Sequence, residues 1–104
     1  MKRLAFVMKL LPGFEAEYER RHLALWPGLV TLLKQSGVSE YSIFLDPLTL
    51  NLFAFLHVDD EALWNDLPLQ GIMQQWWYYM KDIMETHTDH SPAARPLKEV
   101  FYLP

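Results

Sequence analysis

The run Leu50-Asn51-Leu52-Phe53-Ala54-Phe55-Leu56-His57-Val58 is almost wholly apolar. Side chains alternate across a strand, so Leu52, Ala54, Leu56 and Val58 face one way and Phe53 and Phe55 the other. Upstream, Asp46-Pro47-Leu48-Thr49 is a turn. Before it, Val38–Leu45 reads as a strand with Tyr41, Ile43 and Leu45 on one side. Leu4–Leu11 repeats the two-sided pattern: Phe6, Met8 and Leu10 oppose Ala5, Val7 and Leu11, and Pro12-Gly13 breaks the run. Strands apolar on both faces are strands covered on both faces.

Between these strands the period changes. Phe14, Tyr18, His22 and Leu25/Trp26 recur at four-residue steps on one helical face, with Glu15, Glu19 and Arg20 opposite. Pro27 kinks or restarts this helix because it donates no amide and clashes with the preceding turn. Leu29 to Leu33 continue it, and Gly37 is a candidate C-terminal cap. Downstream, Asp59-Asp60-Glu61 opens a short helix that Pro68 interrupts. Gln70–Met84 reads as the second main helix, His87–Pro96 as a polar loop and Glu99–Leu103 as a last strand.

The order is β-α-β-β-α-β, an α+β class with the ferredoxin-like split arrangement, in one domain over residues 1–104. Helices cover only one face of such a sheet. The second apolar face therefore predicts a homodimer, a dimeric α+β barrel with two sheets packed face to face, since large apolar patches are rare on soluble monomers.

Composition narrows the chemistry. Nine Lys+Arg against thirteen Asp+Glu gives a net charge of −4, which offers no basic stripe for nucleic acid. There is no cysteine, which removes disulfides, thiolate metal sites and cysteine nucleophiles. The four glycines are too scattered to cradle a phosphate, and no G-x-S-x-G is present. No cofactor is expected. Lys9 interrupts the apolar N-terminal run after Met8, and no stretch is long enough for a membrane span, so the expected location is cytoplasmic, with no membrane partner.

His22 lies one turn after Tyr18 on the inward face of the first helix, where an imidazole can give and take protons near pH 7. The plainer alternative is a core histidine satisfied by a neighbouring hydroxyl such as that of Tyr18. In Trp76-Trp77-Tyr78-Tyr79, successive side chains sit about 100° apart, so at least one ring must meet an interface or a pocket. Indole faces suit the C–H face of a sugar ring or an aromatic ligand. The alternative puts one indole in the core and the other on the dimer seam. Tyr41 either reaches the same space from the sheet or belongs to the core. Metal signals are slight: Glu19-x-x-His22 is half of a di-iron motif without its second copy, and His87-x-x-His90 offers two donors in a polar loop. No metal is expected.

The chain resembles the L-rhamnose mutarotase family. The resemblance runs through Ala5-Phe6-Val7-Met8, Glu17-Tyr18-Glu19-Arg20-Arg21-His22 with Leu25-Trp26-Pro27, Tyr41 with Leu45-Asp46, and Trp76-Trp77 with Tyr79-Met80 and Asp82. It ends on Ser91-Pro92 and Glu99-Val100-Phe101-Tyr102-Leu103-Pro104. Relatives are expected to carry Asn where this chain has Leu23 and His90. The resemblance implies a dimeric cytoplasmic isomerase that interconverts the α and β anomers of L-rhamnose. It makes His22 the proton donor and places Tyr18, Tyr41, Trp76 and Trp77 against the sugar. On that reading protonated His22 gives its proton to the ring oxygen, and the base on the anomeric hydroxyl is unassigned. Two rival readings share the architecture: a monooxygenase or haem protein with His22 or His57 as ligand, and a sugar-binding dimer without catalysis.

Overall fold

The computed structural model describes residues 1–104. Its elements are β1 (Lys2–Lys9), α1 (Glu15–Leu23), α2 (Pro27–Gln35), β2 (Val38–Leu45), β3 (Asn51–Val58), α3 (Glu61–Asp66), α4 (Gly71–Met80) and β4 (Arg95–Pro96). They form an α+β fold around one antiparallel sheet of four strands, in the order β2-β3-β1-β4.

Local chemistry sets the boundaries. Glu15 and Glu17 occupy the first turn of α1 and Arg20, Arg21 and His22 its last, which suits the helix dipole at both ends. Pro27 restarts the chain: Trp26 is extended (φ −57°, ψ 129°), as a residue before proline must be, and Pro27 opens α2. Gly37, at φ 81°, ends α2 in the left-handed conformation, and its carbonyl accepts from Asp59 N at 3.0 Å. The Asp46 carboxylate accepts from Leu48 N and Thr49 Oγ1, closing the β2–β3 turn. Asp60 caps α3 through its bond from Ala62 N.

The helices share one face of the sheet. Met8, Leu10, Leu52 and Ala54 bury against Tyr18, Leu29, Trp76 and Met80. Trp64 of α3 packs on Leu56 and Val58. The opposite face carries Phe53, Phe55 and Phe44, with Phe44 62% and Phe55 45% exposed.

One irregularity governs β2. Ser39 pairs with His57 and Ser42 with Phe55, so three steps on β2 span two on β3. This is a bulge, and Glu40 sits in it at φ 51°. Val38 and Val58 pair on the helical side, both buried. Strict alternation from Val38 would send Tyr41, Ile43 and Leu45 to the opposite face. The extra residue turns them back.

Two sequence expectations need correction. The last strand is not Glu99–Leu103 but Arg95–Pro96, paired with Val7 and Phe6. Leu97 N still donates to Ala5 O, and Arg3 then holds the tail through Glu99 and the face of Tyr102. Val100, Phe101 and Leu103 are apolar but find no second layer within the chain, and they stay exposed. The second main helix stops at Met80, short of Met84. A turn follows, in which Ile83 N donates to Met80 O and Ile83 O accepts from Leu11 N, burying Ile83 and Met84 without helix.

Candidate active site

A cavity of about 750 Å³ lies between the helices and the inner face of the sheet. That is within the usual range for small-molecule sites, roughly 300–1,000 Å³. Tyr18, His22, Tyr41, Trp76 and Trp77 all line it, so the residues singled out from the sequence meet in one space. His90 reaches its rim, whereas His87 does not. His57 is on the far face of the sheet, paired with Arg3 and Ser39, and cannot join His22. No group of three or more His, Asp or Glu side chains is gathered as for a metal ion.

His22 is fixed by its own helix. Nδ1 lies 3.0 Å from the carbonyl oxygen of Tyr18, one turn back. A carbonyl only accepts, so Nδ1 carries the proton and donates. In the neutral imidazole Nε2 is then bare. The ring stacks on Tyr18 at 4.3 Å between centroids and meets the edge of Trp76 at 5.5 Å. Burial lowers the imidazole pKa below its ordinary value, and the bond to the Tyr18 carbonyl partly opposes the shift.

Burial likewise pushes the Tyr18 and Tyr41 phenols well above the usual tyrosine range, and for Tyr18 the nearby Tyr41 adds to it. Tyr41 is nevertheless 37% exposed. Its ring is open to the cavity, and the surrounding protein disfavours a charge on the phenol.

The polar atoms point to a ligand. His22 Nε2, the Tyr18 hydroxyl and the Trp76 indole N–H have no hydrogen-bond partner in the chain, yet no buried polar side-chain atom is left unpaired. These atoms are therefore open to the cavity, where a polyhydroxylated ligand can pair with them. Apolar walls surround them, including Met8, Ile43, Leu52 and Met73.

A clamp outside the cavity sets its geometry. Arg21, 9% exposed, donates to Glu17 Oε2 at 2.7 Å, to the Tyr79 carbonyl at 2.7 Å and to Asp82 Oδ1 at 3.0 Å. It ties α1 to the C-terminal end of α4, the elements that carry His22 and the indoles. Trp26 packs edge-on to Trp76 at 5.1 Å. Sequence reasoning gave neither residue a role. A charged residue one position from an inward-facing histidine was the available signal for Arg21. Trp64 and Asn65 of α3 also line the cavity and carried no signal at all.

Comparison with known proteins identifies the family. The family model for L-rhamnose mutarotase matches residues 3–103. The L-rhamnose mutarotase of Bacteroides thetaiotaomicron is 53% identical over 103 residues, 99% of each chain. That of Sinorhizobium fredii is 52% identical over the same share. A crystal structure of an L-rhamnose mutarotase from Formosa agariphila superposes with a TM-score of 0.94 at 49% identity, covering 100% of both chains. A Pseudomonas aeruginosa protein of 13% identity, covering 95% of this chain and 93% of its own, shares the fold alone, with a TM-score of 0.61. The chain belongs to the L-rhamnose mutarotase family, isomerases that interconvert the α and β anomers of the sugar.

Proposed function

We propose that L-rhamnose is bound and its anomers interconverted in the cavity lined by His22, with residues 1–104 acting as one domain. Mutarotation opens the hemiacetal and recloses it on the other face of the aldehyde. It needs one proton removed from the anomeric hydroxyl and one delivered to the ring oxygen, and no other group. His22 is the side chain fitted to carry a proton: neutral, held by one nitrogen and free at the other. Tyr18 and Tyr41 stay protonated and donate hydrogen bonds to the sugar oxygens. Trp76 and Trp77 form the apolar wall, which suits a 6-deoxy sugar with its methyl group.

The convergence of Nε2, two phenols and two indoles on one cavity carries this reading. Replacing His22 by Ala tests it, with anomer exchange followed by saturation-transfer NMR. Exchange should fall about 10²-fold or more while the circular dichroism spectrum stays native. Exchange near the native rate in a folded variant would remove His22 from the chemistry.

The finer architecture belongs to the same proposal. The order β2-β3-β1-β4 fits the ferredoxin-like arrangement. The apolar outer face fits a homodimer joined sheet to sheet. A cytoplasmic location follows from the family's part in sugar metabolism. Nucleic acid is not among the proposed partners, given the net charge of −4.

A further inference from the structure

The cavity is larger than one rhamnose needs. The sugar has eleven non-hydrogen atoms, and even at the roughly 30 Å³ that a water takes in the liquid these fill about 330 Å³. The cavity holds about 750 Å³. Pro68, Trp77 and His90 line both this cavity and a groove on the outer side of α4, so the two spaces adjoin across these side chains. We propose that the groove is a second sugar subsite, and that the enzyme accepts reducing disaccharides with L-rhamnose at the reducing end and a hexopyranosyl unit on its O4. This deepens the reading of the cavity as the sugar site and rests on it.

The reaction permits such an extension. Ring opening breaks and remakes bonds at C1, its hydroxyl and the ring oxygen alone. O4 takes no part and stands across the ring from C1. With C1 turned toward His22, a substituent on O4 leaves the ring at the end away from the imidazole. Trp76 meets His22 at 5.5 Å between ring centroids. Trp77, next along α4, is half-buried and belongs to cavity and groove alike. An indole shared in this way offers its face to the C–H groups on either side of the linkage.

The groove has side chains that read hydroxyls. Gln74 donates from Nε2 to the Pro68 carbonyl at 2.8 Å, which fixes the amide and leaves Oε1 to accept. Gln75 beside it is exposed. Asp89 accepts from the Ser91 amide and hydroxyl at Oδ1, and Oδ2 stays available. Tyr78, 61% exposed, meets the His90 ring at 5.3 Å and 78°, with the Lys81 ammonium 4.2 Å from its own ring centre. A hydrocarbon ligand would bury these amides unpaired, and an anion would face the Asp89 carboxylate. A neutral polyol satisfies them all. His90 forms the partition. It sits at φ 70°, in the left-handed region that disfavours a side chain. Its amide donates to the His87 carbonyl at 3.0 Å, and His87 N donates to the Ser91 carbonyl at 2.8 Å, so the loop holds that backbone and sets the ring between cavity and groove.

Saturation-transfer NMR tests this with L-rhamnose, 4-O-β-D-glucopyranosyl-L-rhamnose and its 2-O-linked isomer. The 4-O-linked disaccharide should exchange within about tenfold of the rhamnose rate and bind about threefold or more tighter, for one or two added hydrogen bonds. The 2-O-linked isomer carries its substituent beside C1, and its exchange should be about 10²-fold slower or more. Gln75→Ala and Tyr78→Ala, both at exposed positions, should each weaken binding of the 4-O-linked disaccharide about threefold or more and leave rhamnose exchange within about twofold of native. Four results would each overturn the subsite while the cavity stands as the rhamnose site: exchange of the 4-O-linked sugar more than about tenfold below that of rhamnose, an affinity no better than that of rhamnose, equal handling of the two isomers, or variants that weaken rhamnose and disaccharide alike. A native chain that does not speed rhamnose exchange at all would instead remove the sugar site, and the subsite with it.

Discussion

Trp76 and Trp77 are adjacent in the chain and do different work. Trp76 is 6% exposed and touches His22, Trp26 and Tyr79. Trp77 is half-buried on the cavity wall, and it also borders an outer groove with Gln74 and Gln75. Trp76→Ala should therefore cost about 3–5 kcal/mol of folding stability, read as an earlier urea midpoint, because it empties core volume and frees the imidazole. Trp77→Ala should cost far less stability and weaken rhamnose binding about tenfold or more. Equal losses of stability in the two variants would show that the division is wrong. At this scale the sequence was informative in part: Tyr18, His22, Tyr41, Trp76 and Trp77 share one cavity, whereas His57 and His87 lie outside it. A helical step of four puts Tyr18 over His22, and this needs no tertiary information. What it could not show was the tautomer of His22, since that depends on a backbone carbonyl that every residue possesses.

Elements were legible where their own pattern sufficed. β2, β3 and the break at Pro27 follow from alternation, turn chemistry and proline sterics. The bulge did not show, because Glu40 carries none of the glycine signature that usually marks a positive φ. The last strand was misplaced because Val100 to Leu103 has strand composition, whereas the actual pairing ends on Pro96, which donates nothing to a ladder. The docking of α1 on α4 depends on Arg21, and its partners give it a pH signature. The Arg20 and Arg21 guanidiniums hold the Glu17 carboxyl down at about 2, against an ordinary 4.5, and Arg21 also lowers Asp82. A carboxylate with a depressed native pKa contributes stability above its unfolded value and loses it as the pH falls through the native one. The melting temperature should therefore fall as pH drops from about 4.5 to about 2. Arg21→Met should lower it by several degrees at pH 7, for a loss of about 1–3 kcal/mol in charge-assisted bonds, and should flatten that acid slope. Arg20 still pairs with Glu17 in the variant, so part of the slope should remain. An unchanged slope would mean that the clamp does not couple the helices.

The two faces of the sheet answer to different demands. One is filled by helices and encloses the site. On the other, Phe44 and Phe55 meet edge to face at 6.1 Å and are exposed at 62% and 45%. The apolar tail residues Val100, Phe101 and Leu103 are exposed as well, at 86%, 78% and 78%. Exposed apolar side chains of this size are uncommon on a monomer and typical of a subunit contact. A two-fold pairing would set each patch against its own copy, which closes the assembly and leaves no edge for growth. Phe55→Asp places a charge at the centre of that contact without touching the cavity, because its backbone neighbours Ala54 and Leu56 carry the inner face. Light scattering after gel filtration should give a dimer mass for the native chain and a monomer mass for Phe55→Asp. Anomer exchange per chain in that monomer should stay within a few-fold of native, since every proposed site residue comes from one copy. A native chain that runs as a monomer would refute the sheet-to-sheet pairing. A monomeric variant that loses exchange while His22 and Tyr41 remain in place would mean that the partner copy completes the site.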